Sequence, residues 1–151
     1  MSRVVTRATI ARSPGEVFSY VTTPGHWPEW HPSSLGVTGA TDHPLLVGEE
    51  VTESFLVAGR RGSARWTVRE REEPRRWVIF GQAQGGGTGT ITYTLTPQDG
   101  VTAFEREFSY EMNNSLLALL DRLVLHRRID AESTEALRRL KERLETEPLS
   151  S

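Results

Sequence analysis

Two charged residues fall where strand alternation groups them with aromatic side chains. In the run Thr102–Tyr110, the residues Phe104, Arg106, Phe108 and Tyr110 share one face, and Ala103, Glu105, Glu107 and Ser109 share the other, because side chains two apart point the same way in a strand. In Glu49–Ala58 the same period groups Val51, Glu53, Phe55 and Val57. A guanidinium is always charged, so Arg106 on an apolar face needs a carboxylate, an aromatic face or an anionic ligand. Burying either charge alone is costly, which predicts a pair or a polar cluster inside a cavity. There Arg106 would bind a carboxylate or enolate oxygen while Glu53 accepts a proton. The competing expectation is that both residues sit at sheet ends, or that a bulge slips one register and turns them to water.

A second cluster is Trp27-Pro28-Glu29-Trp30-His31-Pro32. Two indoles, an imidazole and two φ-locked prolines make a rigid aromatic element too large to leave in water. His31 is a candidate acid or base near neutral pH; Trp30 either lines a cavity mouth or seals the core beneath it. Trp66, Trp77, Tyr93 and Tyr110 are further candidate liners, with Phe55, Phe104 and Phe108 from the two strands and Leu116, Leu120 and Leu123 from the segment that follows. The tyrosines would add hydroxyl groups to an apolar space.

Other chemistries find little support. The chain has four histidines and no cysteine; none of the histidines are spaced four apart on one helix face, so no metal site is expected. No Gly-x-Ser-x-Gly elbow accompanies a Ser-His-Asp set. The glycine-dense stretch 81–89 leads into the strand-like Thr90-Ile91-Thr92-Tyr93 and lacks a Gly-Lys-Ser/Thr ending, so it reads as a hairpin tip and cavity gate rather than a phosphate loop. No nucleotide fingerprint is present, and no cofactor is expected.

The elements that must position these residues are legible. Val4–Ile10 reads as a strand. Ser13-Pro14-Gly15-Glu16 then supplies a serine cap, proline at the first helical position and a glutamate three residues past the cap, opening a short helix through Val21. From Gly36 to Tyr110 six strands are predicted, at Gly36–Ala40, Glu49–Ala58, Ser63–Arg71, Trp77–Ala83, Gly89–Thr96 and Thr102–Tyr110. Their short links force an antiparallel meander. Beyond Asn114 and Ser115, either of which would cap it, leucines at three- and four-residue spacing predict one long helix to about Thr146, followed by frayed residues to Ser151.

At 151 residues the chain is expected to form one domain, 1–151, with a single core. The 18 basic residues, all but one arginine, nearly balance 20 acidic ones, which disfavours nucleic acid as a partner. No apolar stretch approaches the roughly 20 residues of a membrane span, and the N-terminus lacks a signal-length apolar core. A cytoplasmic protein, monomeric or homodimeric, is expected.

The order strand, capped helix, short aromatic helix, six-stranded meander and long C-terminal helix, with two short helices after the first strand, resembles the START-like superfamily with its α+β helix-grip fold. Within it the chain is similar to the polyketide cyclase/dehydrase and lipid-transport group. The resemblance rests on Ile10-Ala11-Arg12-Ser13-Pro14-Gly15-Glu16-Val17-Phe18, on Pro24 through Pro32, and on Leu140-Lys141-Glu142-Arg143-Leu144-Glu145. It implies a sheet of about seven strands gripping the last helix around an apolar tunnel for a small apolar or aromatic ligand. It also implies a choice between ring closure or dehydration of a polyketide, for which Arg106, Glu53 and His31, read above from the strand faces and the aromatic cluster, are the candidate groups, and non-catalytic carriage, sensing or stress response. An interaction module of the chaperone-activator type would instead have a filled interior and an exposed apolar patch.

Overall fold

The computed structural model describes residues 2–57, 59–111 and 116–146, with side chains of 116–122 left aside. The expected cap at Asn114 or Ser115, the end of the third strand at Ala58 and the fraying beyond Thr146 lie outside the described residues.

Strand β1 (Ser2–Ile10) is followed by helix α1 (Pro14–Val21), a 3-10 turn (Pro24–His26) and the four-residue helix α2 (Trp27–Trp30). The meander follows as β2 (Ser34–Gly39), β3 (Glu50–Val57), β4 (Arg60–Glu72), β5 (Arg76–Ala83), β6 (Thr88–Gln98) and β7 (Val101–Glu111), and α3 (Leu116–Thr146) closes the chain. The cap of α1 is the one the sequence predicts: the Glu16 backbone N–H donates to Ser13 Oγ at 3.3 Å, and the Ser13 hydroxyl donates to the Glu16 carboxylate at 2.9 Å. These contacts satisfy donors that the first helical turn would otherwise leave open.

All pairings are antiparallel, and the sheet order is β1-β7-β6-β5-β4-β3-β2. The first two strands are therefore opposite edges, and the segment carrying α1 and α2 passes from one edge to the other. Pairing of β1 with β7 makes β7 an interior strand. Its register is unbroken with both neighbours, from Ser2↔Tyr110 to Ile10↔Thr102 and from Thr88↔Glu111 to Gln98↔Val101. The register of β3 with β4 is likewise unbroken, and irregularities fall only between Ser34 and Gly36 in β2 and between Val68 and Glu70 in β4. The two-residue alternation of β3 and β7 thus survives intact.

Helix α3, 31 residues and about 46 Å at 1.5 Å per residue, behaves differently at its two ends. Ala136, Leu137, Leu140 and Leu144 are buried in the core with Ile10, Val17, Phe18 and Val21, a helical stripe on the helix that packs against β1 and α2. Arg12 Nε donates to the Leu144 carbonyl at 2.6 Å and the Ala11 N–H to Glu145 at 2.8 Å, anchoring that end. At the other end Leu123 is 72% and Val124 59% exposed. Among the described residues, no helix is long and apolar enough to cross a membrane.

Candidate functional site: a chamber between sheet and helix

The loosely covered half of α3 leaves a chamber of ≈ 680 Å³ between itself and the sheet. Its walls are largely apolar, with Phe55, Trp66, Ile79, Ile91 and Phe108 from the strands and Leu125 and Ile129 from the helix. One mouth is rimmed by the β3–β4 and β5–β6 hairpins, where Arg60, Arg61, Gln84 and Gly85 are exposed, together with Val124 of α3. The polar groups Arg106, Glu53, His31, Ser33, Tyr93 and Ser133 also line it.

The chamber exists partly because ring systems lie flat on glycine. A Cβ placed on Gly81 would lie 2.6 Å from a ring carbon of Trp66, and one on Gly62 2.7 Å from the Phe55 ring; real Cβ atoms do not approach so closely. Each glycine is the cross-strand partner of the aromatic residue above it. With no side chain on the partner strand, the ring folds down onto the backbone and leaves the space above it open.

Arg106 is 5% exposed. Its Nη1 donates to Ser133 Oγ at 3.2 Å, and its carbon Cζ stands 5.6 Å from the Phe108 ring centre. Its buried Nε has no hydrogen-bond partner among the described residues. Glu53 accepts a hydrogen bond from Trp66 Nε1 at 3.1 Å. Burial raises the Glu53 pKa above the usual carboxylate range, opposed by hydrogen bonding and by the Arg106 charge. The two residues share the chamber without forming an ion pair. Burial also pushes the Tyr93 phenol up to about 12, with Arg106 pulling the other way.

Helix α2 holds the remaining polar members. The Trp27 indole N–H donates to the Val21 carbonyl at 2.9 Å. The Glu29 carboxylate meets His26 Nδ1 at 2.5 Å and receives Arg143 Nη2 at 2.8 Å, while Tyr20 stacks on His26 at 4.3 Å. This clamp fixes α2 to α3 and sets the direction of Trp30 and His31. Trp30 is 1% exposed, lines the chamber, and its Nε1 has no acceptor among the described residues. His31 Nδ1 accepts the Ser33 backbone N–H at 3.2 Å and lies 2.7 Å from Ser33 Oγ, so the ring proton belongs on Nε2. Burial, then the charges of Arg106 and Arg139, hold the His31 pKa well below its ordinary value. The imidazole is therefore neutral at neutral pH, with its proton on Nε2.

Three expected liners are placed elsewhere. Trp77, fully buried, stacks on Tyr93 at 5.2 Å and donates its indole N–H to the Leu45 carbonyl at 3.3 Å; Phe104, 1% exposed, packs on the other side of Tyr93 at 5.1 Å. Both fill the core, because Leu45 and the α1–α2 segment cover that end of the sheet. Leu123 points to solvent: it precedes the chamber-lining Leu125 by two residues, about 200° around a helix. Leu116 and Leu120 have side chains outside the described residues. Phe55, Trp66, Tyr93, Phe108 and Tyr110 line the chamber with Trp30, and the Tyr110 hydroxyl lies 3.0 Å from His126 Nδ1.

Chamber residues that sequence reasoning missed include Ser133, Glu132, Ile129 and Leu125 on α3, Ser33 beside His31, and Ile79 and Ile91 on the sheet. A signal existed for Ser133: it interrupts an apolar stripe of Ile129, Ala136, Leu137 and Leu140, where a serine has no packing role. Among the described residues, no cluster of His, Asp and Glu could hold a metal ion.

The architecture is shared with known proteins. TTHA0849 from Thermus thermophilus superposes with a TM-score of 0.77 at 14% identity, covering 95% of this chain and 97% of that one. Ara h 8.0201 gives 0.66 at 11% identity over 95% and 97%. DynU16, a protein of the dynemicin biosynthetic locus, gives 0.70 at 17% identity over 97% of this chain and 48% of its own. At such identities these likenesses show the fold, which is the START-like helix grip. No curated protein matches the sequence significantly. The family model for polyketide cyclase / dehydrase and lipid transport matches residues 1–145, and the chain therefore belongs to that family.

Proposed function

We propose that this protein binds a small, mainly apolar or aromatic keto compound in the chamber and catalyses its cyclisation or dehydration. The observation that carries this proposal is the presence, in one apolar chamber, of a buried guanidinium with an open N–H and a carboxylate whose pKa burial raises. A carboxylate with a raised pKa is a stronger base near neutral pH than a solvated one. In this scheme Glu53 takes a proton from the carbon next to a ketone, and Arg106 donates to the enolate oxygen that results. The protonated Glu53 then gives that proton to a departing β-hydroxyl, so water leaves and Glu53 returns to its starting state. His31, neutral with its proton on Nε2, donates to a second oxygen of the ligand.

The alternative is a carrier or sensor that uses the same chamber without turnover, and the predominance of apolar wall favours it. An interaction module would have a filled interior, whereas this chamber encloses ≈ 680 Å³. Native mass spectrometry of protein purified from its own host, followed by product analysis on a synthetic β-hydroxy ketone, separates the first two. An enzyme converts the ketone, and Glu53→Gln abolishes conversion while leaving binding within a few-fold. A carrier releases its ligand unchanged. Failure of any apolar probe to bind would remove both.

A further inference from the structure

The charge inventory of the chamber is unbalanced. Arg106 is 5% exposed, donates to the uncharged Ser133, and leaves Nε with no partner among the described residues. Three acids line the same space. Glu53 is engaged by Trp66, and burial raises its pKa against the pull of the Arg106 charge, with which it makes no ion-pair contact. Glu132 is shifted the same way by burial, and its opposing positive neighbour is Arg128. Glu111 is exposed. The phenol of Tyr93 and the imidazole of His31 are both held neutral by burial. A buried guanidinium with no carboxylate in ion-pair contact among the described residues and an unused N–H is unfavourable. A bound anion relieves that cost, and Trp30 offers a second unused N–H on the chamber wall. At the mouth, exposed Arg61 puts positive charge on the entry path, which favours entry of a negative ligand.

We infer that the ligand is an amphiphilic monoanion, bound with one ionised oxygen acid at Arg106 and its flat apolar body along Trp66 and Phe108. This deepens the preceding proposal and rests on the chamber being the ligand site. The oxygen acid is a carboxylate or an ionised enol, either of which accepts a charge-assisted hydrogen bond from a guanidinium.

The test is titration calorimetry with probes matched in shape: naphthoate, its neutral isostere naphthamide, and phenindione, an aromatic cyclic diketone ionised as its enol. N-phenylnaphthylamine serves as a neutral apolar control. At least one anion should bind about tenfold or more tightly than naphthamide, as a charge-assisted hydrogen bond in a dry site provides. Which anion gains identifies carboxylate or enolate. Arg106→Gln should erase the advantage; should that variant fail to fold, the acid-to-amide ratio in the native protein still decides. Equal affinity of naphthamide and both anions overturns the inference while leaving the chamber as a ligand site. Absence of binding by all four probes overturns the chamber itself.

Discussion

A methyl group added at Gly81 tests how the chamber floor is built. A Cβ there would meet three atoms of the Trp66 ring at 2.6, 2.7 and 2.9 Å, against the 3.4–4 Å of ordinary contact. The ring must retreat by about 0.8 Å, and the side open to it is the chamber. Trp66 Nε1 donates to Glu53 at 3.1 Å, so a shift of that size disturbs the geometry of this hydrogen bond. Overpacking costs about 1–3 kcal/mol, and the weakened buried hydrogen bond belongs to that range. Without the clash, alanine in a strand interior is favoured over glycine by about 0.5–1 kcal/mol. Gly81→Ala should therefore destabilise the native protein by about 2 kcal/mol and be neutral or stabilising in a Trp66→Leu background. Urea unfolding of the two single variants and the double variant measures the coupling, expected at about 2 kcal/mol. Additivity within about 0.5 kcal/mol would refute the stacking of Trp66 on Gly81 as the determinant of the floor. The raised ring should also weaken binding of bulky probes before small ones.

Arg106→Met should raise the thermal midpoint of the ligand-free protein or leave it unchanged. Replacing even paired buried charges by apolar side chains of similar volume is neutral or stabilising by about 1–4 kcal/mol, and a charge without an ion-pair partner has less to lose, partly offset here by the Ser133 hydroxyl losing its partner. A loss of several kcal/mol would mean that Arg106 is structural. The pH dependence of stability carries two opposite signatures. The folded pKa of His31 is depressed below its ordinary value of 6.5, so its contribution is present above that pH and lost on acidification, because the unfolded chain binds the proton that the fold refuses. Glu53 is raised above 4.5, so its contribution is full below that pH and declines as pH rises through the folded pKa. His31→Gln should flatten the acid-side loss, and Glu53→Gln should gain stability relative to the native protein between acid and neutral pH. Denaturant midpoints across pH that are parallel for all three proteins would contradict both assignments.

How much of this was legible in advance differs by residue. The alternation that put Arg106 with Phe104 and Phe108, and Glu53 with Phe55, needs only an unbroken two-residue period, and β3 and β7 keep it. The cap at Ser13, the meander and the span of α3 follow from local chemistry in the same way, since turn residues, caps and helical spacing act over a few positions. Trp77 and Phe104 show where that information stops. They share faces with chamber residues, yet the cover supplied by Leu45 and α1 turns their surroundings into core. Leu123 and Leu125 differ only in helix azimuth relative to the sheet, which spacing within α3 does not specify.

The family pattern, the order of elements and the faces of the strands belong to the sequence, because each depends on neighbours along the chain. The pairing of β1 with β7, the flat seating of Trp66 on Gly81, the entry of Ser133 beside Arg106 and the open N–H groups of Arg106 and Trp30 belong to the tertiary structure. Burial, charge balance and cavity shape are set by what packs across from a residue, and contacts between positions tens of residues apart decide them.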